Sequence, residues 1–238
     1  MNQVATFLIA AATLFSQGLC AASADDLAII QDAQHNFVSS HGGDPSQEIA
    51  LETALARNAA NVNVALIDQI EGTLEKAEIR QVGLNNTAVV MQGFGDANQA
   101  YVDQEGDDNF AMITQAGRAN YVYQLLQMGN GNRATVDQQG SSNTVTVAQY
   151  NDNNILKLSQ VDSYNTANVQ QYGNTSLTVT QSNPGGSSAS ENNLIVRAYT
   201  EPGASNNFQP INLTGAGNTT LSLCNGSAMY CGSVLSTN

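Results

Sequence analysis

The sequence predicts an all-β fold, a β-solenoid of stacked strand–turn–strand coils with non-repeat N- and C-terminal segments. Three observations predict it. Glutamine recurs at intervals of 10–12 residues between positions 69 and 181, so that two units together take 22–23 residues. Glycine and then asparagine recur at nearly fixed offsets after most of these glutamines, and apolar residues then alternate with polar ones. Alternation between turn signals is typical of strands with one buried face, and such units repeated at near-constant length stack as coils.

The strand part of each unit has one inward face. Asn86, Ala88, Val90 and Gln92 illustrate it, because residues two apart in a strand point to the same side. The inward apolar residues are mostly alanine paired with valine or isoleucine, which lets two sheets approach closely. One unit carries a residue too many, and this predicts a β-bulge near Tyr123–Gln124.

The amides at the strand ends predict ladders that join one coil to the next. A buried amide without a partner costs about 1–3 kcal/mol, whereas amides stacked in register can bond their twins one coil away. A single chain also leaves strand edges at its ends, and adding another chain pairs one edge and recreates it further out, which favours a self-propagating fibre. The predicted assembly-ladder residues are Gln69, Gln81, Asn86, Gln92, Asn98, Gln104, Asn109, Gln115, Asn120, Gln127, Asn132, Gln138, Asn143, Gln149, Asn154, Gln160, Asn165, Gln171 and Gln181.

The two ends of the chain differ from the repeat. Residues 4–15 form an apolar run too short to span a bilayer, and small residues follow, so residues 1–24 are predicted to be a secretory signal peptide. Residues 25–57 form an N-terminal non-repeat segment, with a short helix over 45–57 predicted from an Asp-Pro start, that serves either export targeting or capping. The solenoid is predicted over 58–181.

Residues 182–238 are predicted to form a degraded-repeat C-terminal segment that caps the solenoid. A loop signal follows the last glutamine, and the alternating residues from Asn192 to Val196 resemble one more strand. Removal of the signal peptide leaves Cys224 and Cys231, an even pair in an oxidising compartment, so we predict that they form a disulfide.

Composition restricts the possible partners. Only 11% of residues are charged, and the formal net charge is -13. This balance argues against nucleic acid and anionic membrane as partners, because both require basic patches. After the signal peptide no apolar stretch is long enough for a transmembrane helix, so we expect no membrane insertion.

No pattern of catalytic or cofactor-binding residues stands out. His35 and His41 lie in a polar stretch without further metal ligands at suitable spacing, and Asp107 and Asp108 occupy a turn slot in which aspartate is common. We therefore expect neither an enzyme nor a cofactor. Two alternatives remain, a monomeric binding solenoid and a solenoid enzyme that acts on polysaccharide; the uniformly short loops and the lack of a continuous outward threonine array disfavour them.

The repeat resembles the curlin repeat of bacterial curli fimbriae. The pattern Gln-x-Gly-x-x-Asn-x-Ala-x-x-x-Gln is met in full by Gln81, Gly83, Asn86, Ala88 and Gln92, and again by the units that begin at positions 104 and 127. The resemblance implies a secreted fibre subunit, either major or nucleating, for adhesion and biofilm matrix. It also implies self-association, another curlin subunit, and an outer-membrane secretion pore with accessory proteins as partners, and an extracellular location reached through the periplasm.

Overall fold

The fold is all-β in the part of the chain that the computed structural model describes, which is residues 26–32, 36–42, 63–70, 74–200, 204, 206–225 and 236–237. The predicted signal peptide and the predicted helix over 45–57 lie outside these residues. The strands are β1 Asp26–Asp32, β2 Asn36–Gly42, β3 Asn63–Ile70, β4 Lys76–Val82, β5 Thr87–Gly93, β6 Gln99–Glu105, β7 Phe110–Arg118, β8 Tyr121–Met128, β9 Arg133–Ser141, β10 Thr144–Tyr150, β11 Ile155–Asp162, β12 Asn165–Tyr172, β13 Thr175–Asn183, β14 Asn192–Thr200, β15 Asn206–Asn207, β16 Ile211–Thr214, β17 Gly217–Asn225 and β18 Ser236–Thr237.

The strands form two sheets that the chain visits alternately. The first sheet has the order β1-β4-β6-β8-β10-β12-β14-β17-β18, and the second has the order β2-β3-β5-β7-β9-β11-β13-β15 with β16 also on β13. All pairs are parallel except β17 with β18, which is antiparallel. From β3 onward, one strand in the second sheet and one in the first make each coil, so the chain winds about seven turns. The predicted all-β solenoid is confirmed.

The coils stack in register, and this places like residues above one another. Ala77 pairs with Ala100 and Ile79 with Val102, and each strand from β4 to β6 alternates buried and partly exposed positions. The core is therefore a stack of small apolar side chains between the two sheets. The predicted inward residues are buried: Ala65, Ile67, Ala77, Ile79, Ala88, Val90, Ala100, Val102, Ala111, Ile113, Ala134, Val136, Val145, Val147, Ala167 and Val169.

The predicted bulge in β8 is confirmed. Val122 pairs with Val145, but Gln124 pairs with Thr146, so that Tyr123 is the extra residue. Tyr123 and Gln124 are both exposed, and the inward alternation resumes at Leu125. The bulge absorbs the additional residue and keeps Gln127 in the same inward slot as its neighbours.

The pairing extends further along the chain than the repeat recognised in the sequence. Residues 26–32 and 36–42 lie in the segment that the sequence placed outside the repeat, yet they pair as β1 with β4 and as β2 with β3. At the other end, β14, β16 and β17 continue both sheets beyond residue 181. The strand predicted around Asn192 to Val196 is therefore present as β14.

Candidate assembly site

Two columns of glutamine run along the long axis of the solenoid, one in each sheet. In the first sheet, each Nε2 donates to the Oε1 of the next glutamine at 2.8 Å. In the second sheet, the same bond measures 2.8–3.0 Å. The first column is Gln81, Gln104, Gln127, Gln149 and Gln171, and the second is Gln69, Gln92, Gln115, Gln138, Gln160 and Gln181. The structure thus brings the predicted glutamines together as ladders.

The second amide proton of each inner glutamine crosses between the sheets. Gln104 Nε2 donates to the carbonyl oxygen of Thr87 at 3.1 Å, and Gln138 Nε2 donates to that of Tyr121 at 3.3 Å. Thr87 and Tyr121 begin strands of the opposite sheet. One amide therefore ties its coil to the next coil and also to the facing sheet. Because a carbonyl oxygen accepts and cannot donate, the crossing bond fixes which end of the amide is the nitrogen.

Contrary to the prediction, most asparagine side chains do not bond the equivalent asparagine side chain of the next coil. They bond the backbone of that coil instead. Asn86 Oδ1 accepts from the backbone N–H of Asn109 at 3.1 Å, and Asn86 Nδ2 donates to the carbonyl oxygen of Gly106 at 2.7 Å. Direct bonds between asparagine side chains also occur, as from Asn154 Nδ2 to Asn132 Oδ1 at 2.9 Å. The asparagine side chain is one methylene shorter and follows a turn, so its amide reaches the turn backbone of the next coil. The slot anchors turns, whereas the glutamine slot links side chains.

Asparagine holds this slot through most of the rod, with one carboxylate among them. In the second sheet the slot is held by Asn63, Asn86, Asn109, Asn132 and Asn154, and in the first sheet by Glu75, Asn98, Asn120, Asn143 and Asn165, all of them buried. Glu75 Oε1 accepts from Asn98 Nδ2 at 3.2 Å. The carboxylate thus takes up the acceptor role that asparagine Oδ1 has elsewhere in the column.

Glycine precedes this asparagine because the coils approach each other at the turn. A Cβ atom on Gly83 would clash with the carbonyl oxygen of Gly106, the same oxygen that accepts from Asn86 Nδ2. Where the slot is not glycine, Asn151 and Asp162 adopt positive φ angles of 64° and 70°. Glycine and asparagine therefore recur together because one makes room for the carbonyl that the other binds.

The ladders stop at the C-terminal end of the regular repeat. Ala198 pairs with Gln171, and Leu213 pairs with Gln181, so neither column continues into the C-terminal coil. At the other end, Gln31 in β1 lies opposite Gln81. This N-terminal unit was not predicted from the sequence, although the five-residue spacing from Gln31 to Asn36 equals that from Gln81 to Asn86 and was the signal available.

The outward faces carry charge and aromatic side chains instead of amide ladders. Arg80 Nη1 lies 2.7 Å from Asp103 Oδ1 and 2.9 Å from Glu105 Oε1. Hydrogen bonds to Glu105 and Asp103 raise the pKa of Arg80 above its ordinary value. The rings of Tyr150 and Tyr172 stack with centroids 5.0 Å apart, because the register places them on neighbouring strands. These contacts lie between partly exposed side chains and share no atom with the ladders.

Cys224 lies in β17 and is disulfide-bonded. Cys231 lies outside the described residues, so the Cys224–Cys231 pairing remains a prediction. Among the residues that the structure describes, no three histidine, cysteine, aspartate or glutamate side chains are grouped so as to hold a metal ion. In the same residues, no helix has the length and hydropathy needed to cross a bilayer.

The comparison with protein families matched the family model of the curlin associated repeat to residues 76–106 and 124–150. Both segments carry the curlin associated repeat, which supports membership of the curlin family. The matched curlin segments run from β4 to the turn after β6 and from within β8 through β10, so they include four glutamines of the first-sheet ladder. No curated protein and no solved structure matched the chain. The curlin family is a family of structural subunits.

Proposed function

We propose that this curlin-repeat chain is a secreted structural subunit that self-assembles into an extracellular amyloid fibre, which serves adhesion and biofilm matrix. One observation carries the proposal. From β3 to β13, each coil joins the next through the same backbone register and the same amide bonds, so the interface between coils repeats itself within one chain. An interface that repeats inside a chain in this way can also repeat between chains, and stacked amide ladders are a feature of cross-β fibres.

The partners in this proposal follow from the curlin family. The chain polymerises with itself and with another curlin subunit, and it leaves the cell through an outer-membrane secretion pore with accessory proteins. It acts at the cell surface as part of a fimbria, without catalysis, without nucleic acid and without inserting into the membrane. The net charge of -13 supports this partner set, because it disfavours polyanions and keeps the exported chain soluble.

Fibre diffraction tests the proposal. The mature chain, residues 25–238, is incubated at neutral pH, imaged by electron microscopy, and aligned for X-ray diffraction. We expect fibrils with a reflection at about 4.7–4.8 Å along the fibre axis, because the coils stack in that direction. A chain that stays monomeric for days would contradict the proposal and would favour the alternative of a monomeric binding solenoid. The same would follow from fibrils that lack this reflection.

A further inference from the structure

The N-terminal strands occupy both strand edges at the start of the solenoid. β1 lies along the whole of β4 in the first sheet, and β2 lies along β3 from Asn63 to Gln69 in the second sheet. Both pairs are parallel, like the pairs between successive coils. The N-terminal segment thus has the strand directions and the sheet positions of one additional coil.

The register of these strands follows the repeat closely in the first sheet and poorly in the second. In β1, Ile29 lies opposite Ile79 and Gln31 opposite Gln81. In β2, Ser40 lies opposite Ile67, and Gly42 lies opposite Gln69. A serine and a glycine therefore stand in the slots that other coils fill with an apolar residue and a glutamine. By this pattern, β2 imitates a coil less well than β1.

The connection and the winding order separate this pair from the coils. The chain passes through β1 in the first sheet and then β2 in the second, whereas every later coil begins in the second sheet. Residues 43–62 join β2 to its parallel neighbour β3, while the connections between β4 and β13 take only a few residues. Because β1 and β2 precede the first coil in the chain, they can leave the edges without unwinding any coil.

The opposite end of the solenoid presents the surface that matches these edges. The last coil carries Ile211, Leu213, Leu221 and Leu223, which pack on the core and stay only partly buried. In the described residues, β18 pairs with β17 only at Thr219 and Thr220. The last coil of one copy therefore offers apolar side chains to the β3 and β4 edges of the next, including the second-sheet slots in which β2 has serine and glycine.

We propose that the edges of β3 and β4 are the docking surface for the last coil of a second copy, and that residues 26–42 occupy this surface within the chain until that coil displaces them. The proposal rests on the proposed function, since displacement leads to a fibre. It adds a named interface, which is heterologous and therefore builds an open filament when repeated. It also gives residues 26–42 a regulatory role, because the chain occupies its own docking surface.

A disulfide that holds β1 on β4 tests the proposal. Ala28 lies opposite Glu78, and Glu78 lies opposite Tyr101 on the next coil. Neighbouring strands bring such Cα atoms to about 4.8 Å, which is within the range that a disulfide spans. The double variant Ala28→Cys/Glu78→Cys locks the N-terminal pair, and Glu78→Cys/Tyr101→Cys is the matched control that staples two coils of the solenoid. Peptide mapping establishes which cysteines have paired.

We expect the oxidised locked chain to lose assembly over the period in which the oxidised control assembles, and reduction to restore it. We also expect deletion of residues 26–42 to shorten the lag before fibres appear. Equal lags for the two oxidised variants overturn the proposal, and so does a longer lag after the deletion. If the native chain itself forms no fibres, the proposed function fails; if native fibres form while the variants do not differ, only the docking proposal fails.

Discussion

Truncation of one ladder residue at mid-rod tests the amide ladders directly. Gln138 is buried, and its neighbour Gln139 is an exposed glutamine on the opposite face of β9. The two substitutions Gln138→Ala and Gln139→Ala remove the same atoms from adjacent positions. The amides are lost from opposite faces of β9, and that of Gln139 makes only an exposed bond, to Asp137 Oδ2 at 3.1 Å, so Gln139→Ala is a matched control.

The structure sets the size of the effect. Gln138 Nε2 donates to Gln160 Oε1 at 3.0 Å and to the carbonyl oxygen of Tyr121 at 3.3 Å, and both acceptors lose that donor in Gln138→Ala. Gln115 loses its ladder acceptor as well but keeps bonds to two backbone carbonyls. Two buried acceptors at about 1–3 kcal/mol each destabilise the assembled chain by ~2–6 kcal/mol. Gln139→Ala should change the free energy by less than about 0.5 kcal/mol, as surface substitutions usually do.

The concentration of soluble protein that remains at the assembly plateau measures this difference. It is measured at a denaturant concentration that keeps the free chain unfolded, so that it reports the free energy of folding one chain and adding it to a fibre, and this includes the intrachain bonds of Gln138. We expect Gln138→Ala to raise the residual soluble concentration at least about 25-fold, since 1.4 kcal/mol corresponds to a factor of ten. Gln139→Ala should match the native chain. Indistinguishable plateaus for the two variants would refute the reasoning that the inward amides hold the coils together.

Three further results are expected. Gly106→Ala should slow or prevent assembly, because a Cβ there would clash with the next coil and an alanine at φ +114° is strained by about 1–3 kcal/mol; unchanged fibres would contradict this. Asn109→Ala should lengthen the lag, since it removes two bonds to the next coil, whereas the outward Thr114→Ala should not; equal lags would count against the inward assignment. The exported chain should gain two hydrogens in mass on reduction if Cys224 and Cys231 are paired, and free thiols before reduction would exclude that disulfide.

The sequence predicts the solenoid well because the side-chain period is tied to a physical constraint at every coil. A one-residue slip would turn each inward residue outward, so the alternation fixes the register. This is why the bulge at Tyr123 could be placed from a single surplus residue. It is also why the inward residues from Ala65 to Val169 were identified without a structure.

The bonding partners of the asparagines and the pairing of β1 and β2 could not be predicted from residue types alone. The asparagine slot was expected to bond its twin, but the partner of Asn86 includes a backbone carbonyl, and backbone positions depend on the turn. The pairing of β1 and β2 was missed because Ser40 and Gly42 break the apolar pattern that marks the other strands. A strand with a degraded pattern is recognised from the strand with which it pairs, and a single sequence does not show which strands pair.

The ladders also give the rod a direction. Every bond between two ladder glutamines runs from the Nε2 of one to the Oε1 of the next in sequence, from Gln69 to Gln181 and from Gln81 to Gln171. The amides cannot turn over individually, because their second proton is donated to a carbonyl of the facing sheet and an oxygen in that place would have no donor. A junction of two like ends would reverse the strand direction and the ladder together. Copies that continue the parallel strand pairing must therefore stack head to tail, and a fibre built in this way has two different ends.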